Sequence, residues 1–239
     1  MAYRYETHLH TWPVSACAKT DVRENLEFYK SIGYDGVFIT NHFIGANINY
    51  DHYAPYSEQL EFYLTDYYEA LKIGNEIGLK VFFGVEFSEH FNNGSWGGTD
   101  FLVYGLDPDW YRAHPEIDTM KKSTQMPYLR EAGALVIQAH PYREDSYIDH
   151  IRLYPRCVDG VEILNASRPD FENEMAQHYA ESYGLLKTAG SDNHRAGGAK
   201  YLGVMSTDTP IDSVEDFIKV VREGSADIDK VEVEALPSK

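Results

Sequence analysis

Two histidines lie two residues apart near the start of the chain, His8 and His10 in the stretch THLHT. If this stretch is a β-strand, both side chains point to the same side, because side chains alternate across a strand. Two imidazoles placed in this way can bind one metal ion. The alternative is a chance pair of polar residues at a strand end, so the pair alone is a weak indication.

Five further imidazole or carboxylate groups follow short apolar runs later in the chain. Buried carboxylates without a cation or a proton are costly, whereas neutral imidazole and ionised carboxylate are ligands of divalent metals. Together with the first two histidines they exceed the needs of one tetrahedral ion, which predicts several ions and a bridging carboxylate. Clustered ions favour hydrolysis of a phosphate ester by a metal-activated water. The five groups are His42, Glu86, His140, Asp192 and His194.

The elements that must position these groups have a repeated pattern. A helix-like stretch ends at a glycine, and an apolar run typical of a buried parallel strand follows. The pattern occurs at Gly33, Gly78, Gly133 and Gly184. Further strands are predicted over 3–8, 101–104, 161–164 and 202–205. Alternating helices and strands predict an α/β barrel of seven or eight parallel strands, with its chemistry at their C-terminal ends.

Helix start signals support this pattern. Asp21 with Glu24, and Ser213 with Asp216, are typical of N-caps, and a second helix is predicted to begin near Ser57. No linker or low-complexity segment divides the sequence. A single domain over residues 1–239 is therefore predicted.

The composition limits the partners. The net charge is −17, from 38 acidic and 21 basic residues, and no basic run offsets it, which disfavours nucleic acid as a partner. Only Cys17 and Cys157 are present, the first residues lack an apolar signal core, and no stretch approaches the ~18 apolar residues of a membrane span. A soluble, cytoplasmic protein is expected, and its oligomeric state is left open.

Six motifs together resemble the PHP family, the polymerase and histidinol phosphatase family of metal-dependent phosphoesterases. They follow the order of that family over nearly the whole chain, and they are THLHT, DGVFITNH, GVE, QAHPYR, DGVEILNAS and TAGSDNH. The resemblance implies a distorted (β/α)7 barrel. It also implies two or three divalent ions, zinc, manganese or iron, at the C-terminal ends of the strands.

The resemblance assigns metal-binding roles residue by residue. Glu86 would bridge the first ion to a second ion bound by His140, and His42 and His194 would serve a third. The ligands of the first ion would be His8, His10, Glu86 and Asp192. Glu86, Asp192 and His194 are the predicted catalytic residues.

The sequence departs from the family pattern at three places. Ala16 and Asn41 stand where the family often has a ligand or an acidic residue, which leaves occupation of the third site open. Cys17 is either a soft substitute ligand or a small core residue. Asp100 precedes the LVYG strand where a histidine is common, and it is a candidate oxygen ligand of the second ion or a strand-start cap.

The leading hypothesis is a phosphatase for a small phosphomonoester, similar to a histidinol phosphatase or a nucleotide phosphatase. Arg143, Arg168 and Arg195 are candidate phosphate-binding residues, because guanidinium forks match phosphate oxygens; surface ion pairs are the alternative. Three other hypotheses stay open. They are an amidohydrolase, although no strand-end lysine is available to bridge metals, a 5′–3′ exonuclease and a non-catalytic metal or nucleotide sensor.

Overall fold

The computed structural model describes residues 2–90 and 96–234 of the chain. Nine strands alternate irregularly with six α-helices, and a short 3-10 helix spans Pro115–Thr119. The strands are β1 (Tyr3–Leu9), β2 (Gly36–Ile39), β3 (Lys80–His90), β4 (Trp96–Tyr104), β5 (Leu135–Ala139), β6 (Gly160–Asn165), β7 (Leu186–Gly190), β8 (Tyr201–Thr207) and β9 (Asp227–Glu232). The helices are α1 (Val22–Ser31), α2 (Tyr56–Ile77), α3 (Pro108–Ala113), α4 (Lys122–Glu131), α5 (Asp170–Tyr183) and α6 (Val214–Glu223).

All nine strands form one sheet, in the order β7-β6-β5-β4-β3-β2-β1-β8-β9. The sheet is nearly closed, because Leu9 at the end of β1 makes a parallel bridge to Asn193 just after β7. The expected mixed α/β, barrel-like architecture is therefore confirmed. It brings the ends of β1 and β7 together although they are far apart in the sequence.

The strand directions differ from the all-parallel prediction. β4 runs antiparallel to both β3 and β5, and β8 runs antiparallel to β1. For β4 against β3 the reason is connection length: only five residues separate the end of β3 from the start of β4, and a parallel crossover needs about a dozen or more. Helices follow β1, β2, β4, β6 and β8 in the described residues, so a regular (β/α)7 repeat is not what the chain forms.

The predicted helix boundaries are confirmed. The Asp21 side chain accepts a hydrogen bond from the Glu24 backbone N–H at 2.9 Å, and Ser213 and Asp216 form a reciprocal capping box. The four glycines predicted to end helices all have positive φ, from 63° at Gly184 to 104° at Gly133. Glycine is favoured there because side chains are strained in this backbone region.

Alternate residues of the strands fill the space enclosed by the sheet with apolar side chains. The Phe38 ring on β2 lies 4.7 Å from the Phe82 ring, 5.2 Å from the Tyr104 ring and 4.4 Å from the Phe217 ring of α6, measured between centroids. The Tyr104 hydroxyl donates to the backbone carbonyl of Thr7 at 2.8 Å. This packing supports one side of the end of β1. The polar residues of β1 lie on its other side.

No helix of the described residues has the length and apolar character to cross a membrane.

Candidate metal centre

The seven imidazole and carboxylate groups singled out in the sequence lie in one cluster, hereafter the polar cluster. Each comes from a strand or from the residues directly after one, because β1, β2, β3, β5 and β7 converge at this end of the sheet. Six of the seven are buried or nearly so, and His194 is the most accessible, with 29% of its side chain exposed. The members are His8, His10, His42, Glu86, His140, Asp192 and His194.

Glu86 is at the centre of the polar cluster. Its Oε1 lies 3.1 Å from His8 Nε2 and 3.6 Å from His140 Nε2. Its Oε2 lies 2.7 Å from His42 Nδ1 and 3.3 Å from His10 Nε2. One carboxylate thus faces four imidazoles, which is the arrangement expected of a bridging ligand.

Asp192, which lies just after β7, completes the polar cluster. Its Oδ1 lies 3.3 Å from His10 Nε2 and 3.5 Å from both His8 Nε2 and His194 Nδ1. The backbone of Asp192 has φ 51° and that of His140 has φ 25°, values that side chains adopt rarely. Such strain concentrates at functional sites, where the surrounding structure enforces it.

Within the described part of the chain, four sets of three side chains bring ligand atoms within 4.8 Å of one another. His10 belongs to two of these sets, but its Nε2 can bind only one ion. The sets are His8, His10 and Glu86; Glu86, Asp100 and His140; His8, His140 and Glu162; and His10, His42 and His194.

Several buried atoms of the polar cluster lack hydrogen-bond partners. Neither ring nitrogen of His140 is bonded, nor is Glu86 Oε2, and His42 Nδ1 is close to that oxygen but not aligned for a hydrogen bond. Buried polar atoms are almost always satisfied in folded proteins. Nitrogen and carboxylate lone pairs that face one another fit divalent cations, so the residues present suit metal ions.

Glu162 on β6 is a functional candidate that the sequence reading missed. Its Oε1 lies 3.0 Å from His8 Nδ1, and its Oε2 accepts from the His140 backbone N–H at 3.1 Å and from Asn165 Nδ2 at 2.9 Å. A carboxylate on the outer nitrogen of a ligating histidine fixes the ring and its tautomer. The available signal was the repeated tripeptide GVE, which occurs at 84–86 and again at 160–162.

A cavity of about 430 Å³ opens beside the polar cluster. Arg143 faces it, with Nη1 3.8 Å from Asp100 Oδ2 and the guanidinium 5.6 Å from the centre of the Tyr147 ring. Its buried Nε has no hydrogen-bond partner. The lining residues are Cys17, His42, Asn47, Glu86, Ser88, Gly98, Asp100, Arg143, Tyr147, Asp192 and His194.

Solved structures share this fold. One is a two-domain protein from Bacteroides vulgatus that contains a predicted PHP-like metal-dependent phosphoesterase (TM-score 0.65, 12% identity, 96% of this chain); the chain spans 65% of that protein. Another is a candidate metal-dependent phosphoesterase from Bifidobacterium adolescentis (TM-score 0.55, 15% identity, 81% of this chain and 88% of the other). A third is an amidohydrolase from Chromobacterium violaceum with bound sulfate (TM-score 0.56, 15% identity, 86% and 92%).

Sequence comparison adds a family match. Residues 170–226, which include Asp192 and His194, match the family described as PHP-associated. The chain has the fold of the PHP-like structure from Bacteroides vulgatus. The resemblance that its motifs indicated is thereby confirmed, whereas no curated protein matches the sequence significantly.

The electrostatics of this site reflect four carboxylates close to five imidazoles. Burial alone would lower the pKa of His8, but Glu162, Asp192 and Glu86 outweigh burial and raise it well above its usual value. The pKa of His42 is raised in the same way, chiefly by Glu86. Burial would raise the pKa of Glu86, but the neighbouring imidazoles hold it well below its usual range. The cluster is therefore anionic enough to retain protons on imidazole when no metal is bound.

This charge balance predicts how metal binding depends on pH. Because the pKa values of His8 and His42 are raised, these imidazoles keep their protons to higher pH in the metal-free protein, and a ligating imidazole must lose its proton. We expect zinc affinity to rise with pH until these raised pKa values are passed, with proton release on binding. Calorimetric titration in two buffers of different ionisation enthalpy measures the released protons. A His178→Ala variant, altered at an exposed position, should behave as wild type, and a pH-independent affinity would contradict the expectation.

The three candidate arginines differ in their surroundings. Arg143 lines the cavity, as described above. Arg168 Nε pairs with Glu172 Oε2 at 2.8 Å, and its Nη2 donates to the Glu144 carbonyl at 3.2 Å, so its guanidinium is engaged elsewhere. Arg195 is exposed and does not line the described cavity. Of the three, the structure therefore brings only Arg143 to the polar cluster.

The positions that depart from the family pattern also have defined surroundings. Asp100 on β4 is buried, with Oδ2 3.8 Å from His140 Nε2. Cys17 is a free thiol that lines the cavity; burial would raise its pKa, but hydrogen bonds with His194 and His42 lower it to about 6. Cys17 is therefore not an ordinary core residue. The Asn41 side chain bonds within a buried hydrogen-bond network instead of lining the cavity.

Proposed function

We propose that this protein is a metal-dependent phosphoesterase that hydrolyses a small phosphomonoester. The observation that carries the proposal is the polar cluster itself, in which Glu86 faces four imidazoles beside a cavity with one arginine. Such a ligand set suits several divalent ions. Zinc, manganese and iron all accept mixed nitrogen and oxygen ligands.

The residues would divide among the ions as follows. Glu86 would bridge two of them, His140 and Asp100 would complete the second, and His42 with His194 would hold a third. His8, His10, Glu86 and Asp192 would hold the first. When bound, such ions lower the pKa of a water and neutralise phosphate oxygens.

The chain's own residues would bind and orient the substrate. Arg143 lines the cavity with a buried Nε that has no hydrogen-bond partner, and a guanidinium binds phosphate oxygens with charge-assisted hydrogen bonds. The cavity volume of about 430 Å³ fits a small ligand. Together with the net charge of −17, this favours a small phosphorylated substrate over nucleic acid.

His194 has a second role available in this scheme. Its Nδ1 lies 2.9 Å from the backbone carbonyl of Asp192, so Nδ1–H donates and Nε2 is left for other work. Burial would lower its pKa, but Asp192 outweighs burial and raises it. Nε2 would either bind the third ion or carry the proton that the leaving oxygen receives.

An activity assay tests the proposal. The purified protein, reconstituted with manganese or zinc, is incubated with p-nitrophenyl phosphate, histidinol phosphate and nucleoside monophosphates. We expect phosphate release that a His8→Ala, His10→Ala double variant lacks. Release no greater than that of the double variant would overturn the proposal. Mononucleotide release from a 5′-phosphorylated oligonucleotide would point to an exonuclease instead.

Replacing Arg143 tests phosphate binding separately. We expect Arg143→Ala to lower kcat/KM by about 10- to 100-fold, mostly through KM, because a charge-assisted hydrogen bond contributes about 1.5–3 kcal/mol. Arg195→Ala is the matched control, since it removes an exposed guanidinium outside the cavity. Steady-state kinetics with the best substrate provide the measurement. Equal kinetics of the two variants would exclude Arg143 as the phosphate-binding residue.

An amidohydrolase is the second candidate, and the Chromobacterium violaceum structure shares its fold with this chain. The residues that line the described cavity include no lysine that could bridge metals. Ammonia release from amide substrates by the metal-loaded protein, without phosphate release from esters, would favour this candidate.

A further inference from the structure

The outer ring nitrogen of His10, like that of His8, leads into a buried network. His10 Nδ1 lies 3.0 Å from Ser15 Oγ, which lies 2.8 Å from Asn41 Oδ1, and Asn41 Nδ2 donates to Asp66 Oδ2 at 3.1 Å. All four side chains are buried. We propose that Asp66, on α2, is a positioning residue that acts through Asn41 and Ser15 to present His10 Nε2 to the cluster. The inference rests on the proposed metal centre and explains how one ligand of it is prepared.

The direction of each hydrogen bond follows from the number of protons available. Ser15 has one hydroxyl proton, and Asn41 Oδ1 can only accept, so Ser15 donates to Asn41. Ser15 Oγ also accepts from the His42 backbone N–H at 3.1 Å. Its remaining lone pair must then accept from His10, which places the ring proton on Nδ1. In a neutral ring, Nε2 is left unprotonated.

Asp66 fixes the orientation of the Asn41 side-chain amide, and the proton positions assigned to Ser15 and His10 depend on that orientation. Asn41 Oδ1 accepts from the Thr11 backbone N–H at 2.7 Å, and Nδ2 donates to Thr11 Oγ1 at 2.8 Å as well as to Asp66. Asp66 Oδ2 also accepts from the Thr11 hydroxyl at 2.7 Å. A flipped Asn41 amide would set its oxygen against the carboxylate and its NH2 against the Thr11 N–H. The carboxylate therefore selects the amide orientation to which Ser15 donates.

The consequence of this amide orientation appears at His10, at the other end of the network. His10 Nε2, without a proton, faces Glu86 Oε2 and Asp192 Oδ1, each at 3.3 Å. Lone pairs that converge in this way favour a cation between them. Partners that orient a metal ligand contribute roughly 10- to 100-fold to metal affinity. Asp66 would exert that effect through two intermediate side chains.

The same geometry gives a reason for Asn41, where the resembled family has an acidic residue. An aspartate at this position would put its carboxylate about 3.1 Å from that of Asp66, with no proton to share. One of the two would have to be protonated. The Asn41 amide and the Asp66 carboxylate thus form a matched donor and acceptor pair.

Replacing Asp66 is the test. Asp66→Ala is expected to weaken zinc affinity by roughly 10- to 100-fold, measured by competition with a chromophoric chelator on the full chain. Asp66→Asn should retain most of the affinity, because an amide oxygen in the place of Oδ2 can still accept from Asn41 Nδ2, the Thr11 hydroxyl and the Val14 backbone N–H. Glu69→Gln, an exposed change on the same helix, is the control and should bind zinc as wild type does.

The outcomes separate this inference from the proposed function. Wild-type zinc binding with an unchanged Asp66→Ala variant overturns the inference and leaves the proposed metal centre intact, whereas absence of zinc binding by the wild type overturns both. An Asp66→Asn variant as defective as Asp66→Ala also overturns it, since the amide keeps the acceptor oxygen that orients Asn41. If Asp66→Ala fails to fold, Ser15→Ala removes the acceptor of His10 Nδ1–H and leaves Asp66 in place. It should still lose zinc affinity, and wild-type affinity there would be decisive against the network.

Discussion

Replacing Glu86 by glutamine should abolish metal-dependent phosphate release and reduce the number of ions bound per chain. The Glu86 carboxylate faces His8, His42 and two further imidazoles at 2.7–3.6 Å, so it is placed to bridge the proposed ions. A glutamine amide keeps the size of the side chain but loses its charge and one acceptor oxygen. The expected loss exceeds the roughly 10- to 100-fold typical of partners outside the ligand set.

A graded series makes this prediction sharper. Glu162→Gln changes the carboxylate behind His8 Nδ1 and should reduce metal affinity by roughly 10- to 100-fold, the range for such partners. Glu61→Gln, which removes an exposed partner of Arg112, should leave metal content and activity unchanged. Elemental analysis and phosphate release are measured for all three. If Glu86→Gln keeps its ions and resembles Glu61→Gln in rate, Glu86 is not a bridging ligand.

The ligand pattern could be read from the sequence because each group sits at a fixed place relative to a strand. A glycine with positive φ, a short buried strand and then a polar residue recur in order, and parallel strand ends converge on one edge of a sheet. His42, His140 and Asp192 each follow their strand within a few residues. Local rules therefore predicted which side chains meet.

The strand directions could not be read in the same way. The apolar run of β4 looks like any other buried strand, and only the short connection to β3 shows that it must be antiparallel. β9, Asp227–Glu232, has a polar sequence and pairs only with β8 at the edge of the sheet. Its alternation of charged and apolar residues is too short to predict a strand on its own.

The network behind the ligands was missed for a different reason. Asp66 lies on the buried face of a long helix, and its partners Thr11 and Asn41 are 55 and 25 residues away. Nothing in the surrounding sequence TDYYEAL distinguishes a buried aspartate from an exposed one. Arg168 shows the converse: a plausible phosphate ligand in sequence is occupied by Glu172 one helical turn away. Long-range pairing of polar side chains depends on the assembled fold.

Closure of the sheet beside the polar cluster predicts a large effect on stability. A Cβ added at Gly203 on β8 would lie 2.2 Å from the backbone oxygen of Gly190, at the end of β7. Backbone cannot rotate away as a flexible side chain does, so Gly203→Ala must push β7 and β8 apart. We expect the free energy of unfolding to fall by about 3 kcal/mol, the upper part of the usual range for overpacking. Tm should fall by roughly 6–12 °C for a chain of this size.

The same displacement should reach the proposed metal ligands, because Gly190 is packed against His8. A Cβ at Gly190 would lie 2.5 Å from His8 Cβ, and Asp192 follows two residues later. Gly203→Ala is therefore expected to weaken zinc binding as well as to lower Tm in thermal unfolding. Gly198→Ala is the matched control: its added Cβ would meet only the flexible Arg195 side chain, at 3.0 Å or more. If both alanine variants unfold at the same temperature and bind zinc equally, the contact between β7 and β8 does not hold His8 and Asp192 in register.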